Sequence, residues 1–300
     1  MYEIIGLPNI GNTCYINSVT QCLLHLSSFK SFIQTYELEK LFDTSKYNQY
    51  ISNLSKILPS HFEIYQQNDV HEFYTYLIDF IYELQKVQHT IKKPESINTP
   101  YSKMEFKCRT KWFESYSPIM DVLYTQLVRQ IQCVYCNHFT INIENVSSID
   151  INLSSSNLDE CVNTYFNNVN VENWKCDLCQ KVNKKPLVLQ KCWHLPNTLV
   201  LCIKRFKFIK NKPMKINTHI DVPYTIDLES HSLKIYSDYR YRLSGIVNHS
   251  GTSYYGHYTC DLIKSQNLLI HIDDDDVKGI TNKSIQNKNC YILFFTKDSL

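Results

Sequence analysis

Cys14 stands in a setting that suits a reactive thiol. The segment before it, residues 6–13, is rich in turn-forming and polar residues, and apolar positions at helical spacing begin just after it, at Ile16 and Val19. A thiol at the first turn of a helix lies near free backbone N–H groups and the positive end of the helix dipole, which favour the thiolate form. The alternative is a small buried residue at the start of a core helix. Asn9 and the other polar neighbours favour the reactive thiol, because a purely structural cysteine gains nothing from amide donors.

His257 and an acidic run supply candidates for a base and for a group that orients it. His257 follows Gly256 at the start of a predicted strand, and the next predicted strand ends in the four acids of residues 273–276. A short polar turn separates the two strands, so a hairpin places His257 beside Asp273. Taken singly, His257 fits a core histidine and the acidic run fits a solvated loop. Together with Cys14 they match the nucleophile, base and orienting group of thiol-dependent acyl transfer.

Four further cysteines form two C-x₂-C pairs, Cys133 with Cys136 and Cys176 with Cys179. Two such pairs present four thiolates, which is the ligand set of a structural, tetrahedral Zn²⁺ site. The segment between the pairs is longer than in the commonest zinc motifs, but a long loop adds little to the entropic cost of closure. A redox pair is the alternative, and the predicted strand context counts against it because such pairs begin helices. We predict one structural zinc ion and no cofactor for catalysis.

Hydrophobic periodicity predicts helices in the first third of the chain. One helix runs on from Tyr15, and a second covers residues 70–84 with a capping-box-like start at Asp69. Residues 29–60 fit further short helices. Residues 89–103 carry two prolines and no periodicity, which predicts a loop.

After residue 105 the pattern changes to short β-prone runs. These runs lie at residues 122–131, 139–143, 187–190, 198–208, 241–247, 257–263, 268–272 and 290–295. A helical first third followed by antiparallel strands predicts an α+β fold.

The composition is that of a globular chain with no strong electrostatic field. Apolar residues make up 43% and charged residues 20%, and the net charge is +2, which disfavours nucleic acid as a partner. Neither a signal peptide nor a membrane-spanning segment is predicted, so we expect a cytoplasmic or nuclear protein with reduced thiols. Small buried side chains are therefore expected at the seven remaining cysteines, Cys22, Cys108, Cys161, Cys192, Cys202, Cys260 and Cys290.

Six segments in a fixed order resemble motifs of the ubiquitin-specific protease family of deubiquitinases. They are Asn9–Ser18 around the cysteine, Gln67–Phe73, Ile203–Phe206, Tyr255–Thr259 around the histidine, Ile272–Val277 and Cys290–Phe295. The resemblance covers residues 6 to 296. Asn68 replaces the second glutamine of the family's middle motif, and Leu269 replaces a tryptophan near the acidic motif. Both departures are conservative, and activity is still expected.

The resemblance implies a single catalytic domain of papain-like α+β architecture over residues 1–300. It implies a helical thumb at about 1–110, zinc-knuckle β fingers at about 120–195 and a β-rich palm at 196–300, with the base of the fingers formed by strands around 120–145 and 180–205.

The resemblance also implies a role for each residue of the catalytic machinery. Cys14 is the nucleophile, His257 the general base and Asp273 the third member of the triad. Asn9 donates to the oxyanion, and Asp274 is the second acid that assists. The run of four acids leaves the register between Asp273 and Asp274 open by one position.

Ubiquitin and ubiquitinated proteins are the partners that the resemblance implies. The bond hydrolysed is then the (iso)peptide bond after the C-terminal glycine of ubiquitin, through an acyl-thioester on Cys14. Asp69, with Gln67 nearby, is implied to hold the basic tail of ubiquitin, and Tyr255 and Gly256 to line the substrate channel. Two rivals stay open: a catalytically inactive ubiquitin-binding module and a zinc-ribbon nucleic-acid binder, which the near-neutral charge disfavours. A regulatory partner is also left open.

Overall fold

The computed structural model describes residues 4–59, 62–93, 99–209, 212–233, 239–253, 255–281, 286–287 and 289–298. Its helices are α1 Cys14–His25, α2 Ser27–Thr35, α3 Tyr47–Ile57, α4 Val70–Gln85, α5 Pro100–Phe113, α6 Ile119–Leu123 and α7 Leu158–Asn167, with 3₁₀ turns at Glu39–Phe42, Thr44–Lys46 and Glu229–His231. Among the described residues, no helix combines the length and apolar character that crossing a membrane requires.

The first strand follows α6, and strands occupy most of the described chain from there on. They are β1 Thr125–Gln132, β2 Phe139–Val146, β3 Ile149–Asn152, β4 Trp174–Lys175, β5 Val182–Asn183, β6 Leu187–His194, β7 Thr198–Lys204, β8 Phe206–Ile209, β9 Lys212–Lys215, β10 Ile220–Asp221, β11 Thr225–Asp227, β12 Arg240–Gly251, β13 Gly256–Ser265, β14 Leu268–Asp273, β15 Asp276–Thr281, β16 Gln286–Asn287 and β17 Cys290–Lys297. The mixed helix-and-sheet fold is the α+β class that the sequence predicts.

One large sheet positions the histidine and the acidic run. Its order is β15-β14-β13-β12-β17-β7-β3, with β11 beside β12, and all its pairs are antiparallel except β3 with β7. β13 and β14 form the predicted hairpin, with Cys260 opposite Ile272. The start of β13 and the end of β14 therefore lie at the same end of the hairpin.

The helix α1 holds the thiol against this sheet. Tyr15, Ile16, Val19 and Leu23 are all fully buried, and they belong to one core with side chains of the sheet such as Leu262. A helix of this length is marginal alone, so its stability comes from packing of this apolar face. The nucleophile candidate is thus fixed to a rigid element at its first turn.

A separate three-stranded sheet, ordered β2-β1-β6, carries the first cysteine pair at its tip. Cys133 and Cys136 lie in the turn between β1 and β2, and Cys176 and Cys179 lie in the turn of the β4–β5 hairpin. Each cysteine pair therefore lies in the turn of a β-hairpin.

Three helices differ from the expectations: α5 and α7 were not predicted, and α6 covers the start of the run predicted as a strand from residue 122. The predicted loop at 89–103 is wrong at its end, because α5 begins at Pro100. Thr99 caps it with a reciprocal capping box and Pro100 fills the first position, where a missing N–H costs nothing. α7 begins after Asn157, which caps it: the side-chain oxygen of Asn157 accepts from the backbone N–H of Glu160 at 3.1 Å.

Candidate active site and four-cysteine cluster

Cys14 is the first residue of α1, and a tight loop over residues 9–13 leads into it. Gly11 and Asn12 have positive φ values of 114° and 59°, so the backbone turns sharply just before the helix. The side-chain oxygen of Asn9 accepts from the backbone N–H groups of Gly11 at 3.3 Å and Thr13 at 3.1 Å. Asn9 therefore organises the loop that delivers Cys14, as well as presenting an amide beside it.

His257 lies at the start of β13 and faces Asp273 at the end of β14. Its Nε2 lies 2.5 Å from Oδ1 of Asp273, and 3.8 Å from Oδ2 of Asp274. The hairpin geometry inferred from the sequence thus brings the histidine to the first acid of the run. The second acid lies beyond hydrogen-bond distance of the ring.

Asp274 instead holds the cysteine loop. Its two oxygens accept from Nδ2 of Asn9 at 2.9 Å and from Nδ2 of Asn17 at 2.7 Å, and its backbone oxygen accepts from the N–H of Leu7 at 2.9 Å. It occupies a two-residue turn between β14 and β15 with a φ of 52°, a conformation that Asp tolerates better than most residues. Two neighbouring acids therefore contact different halves of the site.

The protonation of His257 is shifted by its surroundings. A hydrogen bond with Cys14 raises the pKa of His257 to about 9; Asp273 adds to the rise, whereas partial burial opposes it. The imidazole is therefore largely protonated at neutral pH. A cation of this kind is best held by a carboxylate at 2.5 Å, which Asp273 supplies.

A cavity of about 300 Å³ opens beside Cys14, between the helices and the loop before β13. Gln67, Asp69, Tyr255 and Gly256 line it, so the four predicted substrate-binding residues meet at one place. The side-chain oxygen of Gln67 accepts from the backbone N–H of Gly256 at 3.0 Å, which joins the helical half to the histidine loop. Tyr255 is 75% exposed at the rim.

Position 256 has no room for a side chain, because His249 lies against the backbone of Gly256. A Cβ added at Gly256 would lie 1.9 Å from Nε2 of His249, so any side chain would displace the buried imidazole or the loop. His249 also packs on the ring of Tyr258, with the ring centroids 4.7 Å apart. The close approach fixes the backbone one residue before His257.

Asp69 has a structural role in addition to the predicted one. Its Oδ1 accepts from the backbone N–H groups of His71 at 2.8 Å and Glu72 at 3.1 Å, which caps α4. Its Oδ2 accepts from the hydroxyl of Tyr291 at 2.7 Å. A carboxylate has about four acceptor positions, so Asp69 retains capacity for a further donor from the cavity.

The sulfur atoms of Cys133, Cys136, Cys176 and Cys179 form one cluster, all within 4.8 Å of one another. Sγ of Cys133 lies 3.6 Å from Sγ of Cys179, and Sγ of Cys136 lies 3.7 Å from Sγ of Cys176. A tetrahedral Zn²⁺ with Zn–S bonds of about 2.3 Å separates its sulfur ligands by about 3.8 Å. The cluster therefore has the composition and size of a zinc site.

The two cysteine turns have the same backbone geometry. Asn137 and Gln180 each follow a pair and have φ values of 58° and 59°, and each donates its N–H to the carbonyl of the pair's first cysteine, at 3.0 Å and 2.9 Å. Buried Asn183 connects the two turns, since its side-chain oxygen accepts from the N–H of Val134 at 2.9 Å. Backbone N–H groups also approach the sulfurs, with the N–H of Tyr135 donating to Cys133 at 3.4 Å.

Three residues around Cys14 were not predicted from the sequence. Asn17 donates its Nδ2 to Asp274, and the hydroxyl of Tyr47 donates to Oδ1 of Asn17 at 2.5 Å. His249 supports the histidine loop. Asn17 lies three residues after Cys14, so the helical period places it on the same face of α1. For Tyr47 we find no sequence signal, because the contact depends on how the 3₁₀ turns before α3 fold back.

The mixed helix-and-sheet fold places a thiol at the start of a helix beside a histidine–carboxylate pair on a sheet, which is the arrangement found in cysteine peptidases. The chain belongs to the ubiquitin carboxyl-terminal hydrolase family, whose sequence model matches residues 5–295. The resemblance to ubiquitin-specific proteases predicted from six motifs is thereby confirmed.

Curated relatives share the whole of this chain but are longer. Ubiquitin carboxyl-terminal hydrolase 36 of Drosophila virilis is 25% identical over 330 residues, which cover 98% of this chain and 26% of the relative. Ubiquitin carboxyl-terminal hydrolase 25 of Arabidopsis thaliana is 26% identical, covering 98% of this chain and 47% of the relative. The chain thus spans between a quarter and a half of the length of these relatives.

Among solved structures, the fold is similar to that of the Ubp8/Sgf11/Sus1/Sgf73 DUB module of SAGA. The module bound to monoubiquitin matches with a TM-score of 0.77 at 20% identity, covering 99% of this chain and 70% of the other. The module bound to ubiquitin aldehyde matches with a TM-score of 0.76 at 22% identity, with 99% and 70% coverage. At this level of identity the likeness establishes the fold.

Proposed function

We propose that this protein is a deubiquitinase that hydrolyses the (iso)peptide bond after the C-terminal glycine of ubiquitin. The observation that carries the proposal is the pairing of His257 with Asp273 at 2.5 Å and with Cys14, in a chain that belongs to the ubiquitin carboxyl-terminal hydrolase family. Solved relatives of the fold are described as bound to monoubiquitin and to ubiquitin aldehyde, which supports the same substrate.

The proposed reaction proceeds by acyl transfer to sulfur. In the resting pair His257 already holds the proton given up by Cys14, and the thiolate attacks the carbonyl carbon of the terminal glycine. The developing oxyanion receives a hydrogen from Nδ2 of Asn9, whose other hydrogen goes to Asp274 at 2.9 Å. The imidazolium of His257 then protonates the leaving amine. Water, deprotonated by His257, hydrolyses the acyl-thioester and releases the ubiquitin carboxylate and the thiol.

The proposed substrate channel is the cavity that Gln67, Asp69, Tyr255 and Gly256 line. The Gln67–Gly256 hydrogen bond and the absence of a side chain at Gly256 leave a passage whose walls come from both halves of the site. A tail ending in two glycines fits such a passage, because it adds no side chains next to Cys14. The remaining acceptor capacity of Asp69 suits a basic side chain further back along the tail.

We propose that the four-cysteine cluster holds a structural Zn²⁺ and that the sheet β2-β1-β6 with its cysteine turns forms the fingers. The sulfur spacings of 3.6 Å and 3.7 Å support the zinc assignment. When bound, the ion supplies a cross-link between the β1–β2 and β4–β5 turns. The division into a thumb at about 1–110, fingers at about 120–195 and a palm at 196–300 remains part of this proposal. So do cytoplasmic or nuclear residence and ubiquitinated proteins as substrates.

Purified zinc-replete protein tests the function with a fluorogenic amide at the C-terminus of ubiquitin and with di-ubiquitins of several linkages. We expect hydrolysis by the wild type and by Cys161→Ala, a matched removal of another buried thiol, and none by Cys14→Ala. If the folded wild type binds ubiquitin without cleaving it, the inactive binding module replaces the enzyme. If it cleaves and Cys14→Ala cleaves equally, the assigned nucleophile is wrong.

A further inference from the structure

A second group of potential metal ligands lies where α4, β3 and β7 meet. A ring nitrogen of His71, a carboxylate oxygen of Asp150 and the Sγ of Cys202 lie within 4.8 Å of one another. His71 is in the first turn of α4, and Asp150 and Cys202 are directly paired on the parallel strands β3 and β7. Three separate elements therefore bring three different donor atoms to one place.

The two oxygens of Asp150 have different surroundings. Oδ2 forms an ion pair with Nζ of Lys204 at 2.8 Å. Oδ1 is buried and has no hydrogen-bond partner within the described part of the chain. Oδ1 lies 3.9 Å from Nε2 of His71, too far for a hydrogen bond. A withdrawn carboxylate oxygen without a donor is unfavourable. The cluster thus contains an acceptor that a cation would satisfy.

The other two members of the cluster are compatible with a cation. Nε2 of His71 is 2.8 Å from the hydroxyl oxygen of Ser148, a neutral contact that a metal bond can replace. Cys202 is 2% exposed, and its partner on the neighbouring strand is Asp150. A divalent ion supplies the positive charge that a thiolate in this position lacks.

We propose that His71, Asp150 and Cys202 form a second Zn²⁺ site, separate from the four-cysteine cluster. Imidazole nitrogen, carboxylate oxygen and thiolate sulfur are all ligands that zinc accepts. On binding, the ion takes the place of the proton of Cys202, which leaves to solvent, while Lys204 keeps its pair with Oδ2. The proposal concerns ion binding alone and does not depend on the deubiquitinase activity.

Partial exposure makes the site open and exchangeable. The side chains of His71 and Asp150 are 23% and 40% exposed, so a water molecule can fill the fourth position. An occupied site would join the first turn of α4 to two strands of the large sheet. Since Asp69 caps the same turn, the ion would also stiffen one wall of the cavity beside Cys14.

Titration with Co²⁺ of protein dialysed to one equivalent of zinc, which the four-thiolate cluster retains, tests the proposal. Co²⁺ binds nitrogen, oxygen and sulfur sites more weakly than Zn²⁺, so it leaves the four-cysteine cluster occupied and reports the open site by thiolate-to-cobalt absorption. We expect one additional equivalent in the wild type, with the band lost when Zn²⁺ is added. Cys108→Ala, which removes another fully buried thiol, should keep the band, and Cys202→Ala should abolish it.

Two further variants keep the test decisive. Asp150→Asn removes the charge at a half-exposed position, so it tests the site even if Cys202→Ala fails to fold; we expect loss of the additional equivalent. His257, Asp273 and Asp274 also lie close enough together to hold an ion, and Cys14 is the thiol beside them. Cys14→Ala should retain the band, which shows that the cobalt-bound thiolate is not Cys14. The proposal is overturned if the folded wild type binds no additional ion, if Asp150→Asn keeps full binding, or if the band follows Cys14 in place of Cys202.

Discussion

Single substitutions of Asp273 and Asp274 should have different effects, because these adjacent acids contact different parts of the site. Asp273 contacts the base, at 2.5 Å from Nε2 of His257. Asp274 contacts the cysteine loop, through Asn9 at 2.9 Å and Asn17 at 2.7 Å. Asp273→Ala should therefore act on the chemistry, and Asp274→Ala on the stability of the loop as well as on the chemistry.

The size of the first effect follows from the hydrogen bond that is lost. A hydrogen bond to a charged group contributes about 1.5–3 kcal/mol. Because 1.36 kcal/mol is a factor of ten in rate, Asp273→Ala should lower kcat by about 10- to 150-fold. The side chains of His257 and Asp273 are 40% and 46% exposed, so water replaces part of the contact and the lower half of this range is expected. Because both groups are exposed, its free energy of unfolding should change by less than about 1 kcal/mol.

The second effect starts from a buried donor. Asn17 is 2% exposed, and Asp274→Ala removes the shortest of the three contacts of its Nδ2, leaving the backbone oxygens of Leu7 and Pro8 at 3.3 Å and 3.2 Å. A hydrogen bond to a charged group contributes about 1.5–3 kcal/mol, and the two remaining acceptors place the expected loss of stability at the lower end of that range. Asn9 also loses the contact that fixes its amide, so turnover should fall as well, within the roughly 10²–10³-fold that an oxyanion donor contributes.

The assay measures kcat and KM with a fluorogenic ubiquitin amide, together with urea unfolding of each variant. Asp275→Ala is the matched control, because it removes the same charge from the exposed side chain between the two strands. Asp273→Ala should lower kcat without lowering the unfolding free energy, and Asp274→Ala should lower both. Near-normal kcat in Asp273→Ala, with complete loss of activity and unchanged stability in Asp274→Ala, would refute the division and assign the orienting role to Asp274.

Four other outcomes are expected. Cys14→Ala should lower the pKa of His257 from about 9 towards its ordinary value, which NMR titration of the imidazole measures; a wild-type pKa near 6.5 would contradict the pairing. Because the folded pKa is raised, His257 contributes stability that is fully present below about pH 6.5 and lost as the pH rises through about 9, and unfolding of Cys14→Ala should lack most of this dependence. Gly256→Ala places a Cβ 1.9 Å from Nε2 of His249 and should reduce turnover by at least tenfold, whereas Gly279→Ala, with no atom within 4 Å of the added Cβ, should not. Removal of metal by a chelator should melt the β4–β5 turn, seen as faster proteolysis near Asn183, and a resistant apo-protein would argue against structural zinc.

The helical periods and the hairpin could be predicted because local signals agree with the tertiary structure. α4 follows the spacing of Val70, Phe73 and Leu77, and Asp69 caps it as expected. The β13–β14 hairpin has the predicted strands, and this alone places His257 near Asp273. The predicted loop at 89–103 was wrong at its end, because Thr99 and Pro100 were counted as loop residues although together they form a helix start.

The division between Asp273 and Asp274 could not be settled from the sequence. Adjacent strand residues point to opposite faces, but the register of the turn decides which acid ends the strand. In the structure the ladder extends to the Asp273–Asp276 pair, and Asp274 enters the turn with a positive φ. The contact of Tyr47 with Asn17 was equally hidden, since it joins segments whose relative placement depends on the whole helical packing.

The segment before Cys14 lies directly against the acidic turn. The backbone of Gly6 is so close to Asp275 that an added Cβ would approach its carbonyl oxygen to 2.4 Å, and the N–H of Leu7 donates to the backbone oxygen of Asp274. A displacement of Gly6 or Leu7 would therefore move the acidic turn with it. Because Asp274 also accepts from Asn9, the same displacement would change the position of the amide beside Cys14.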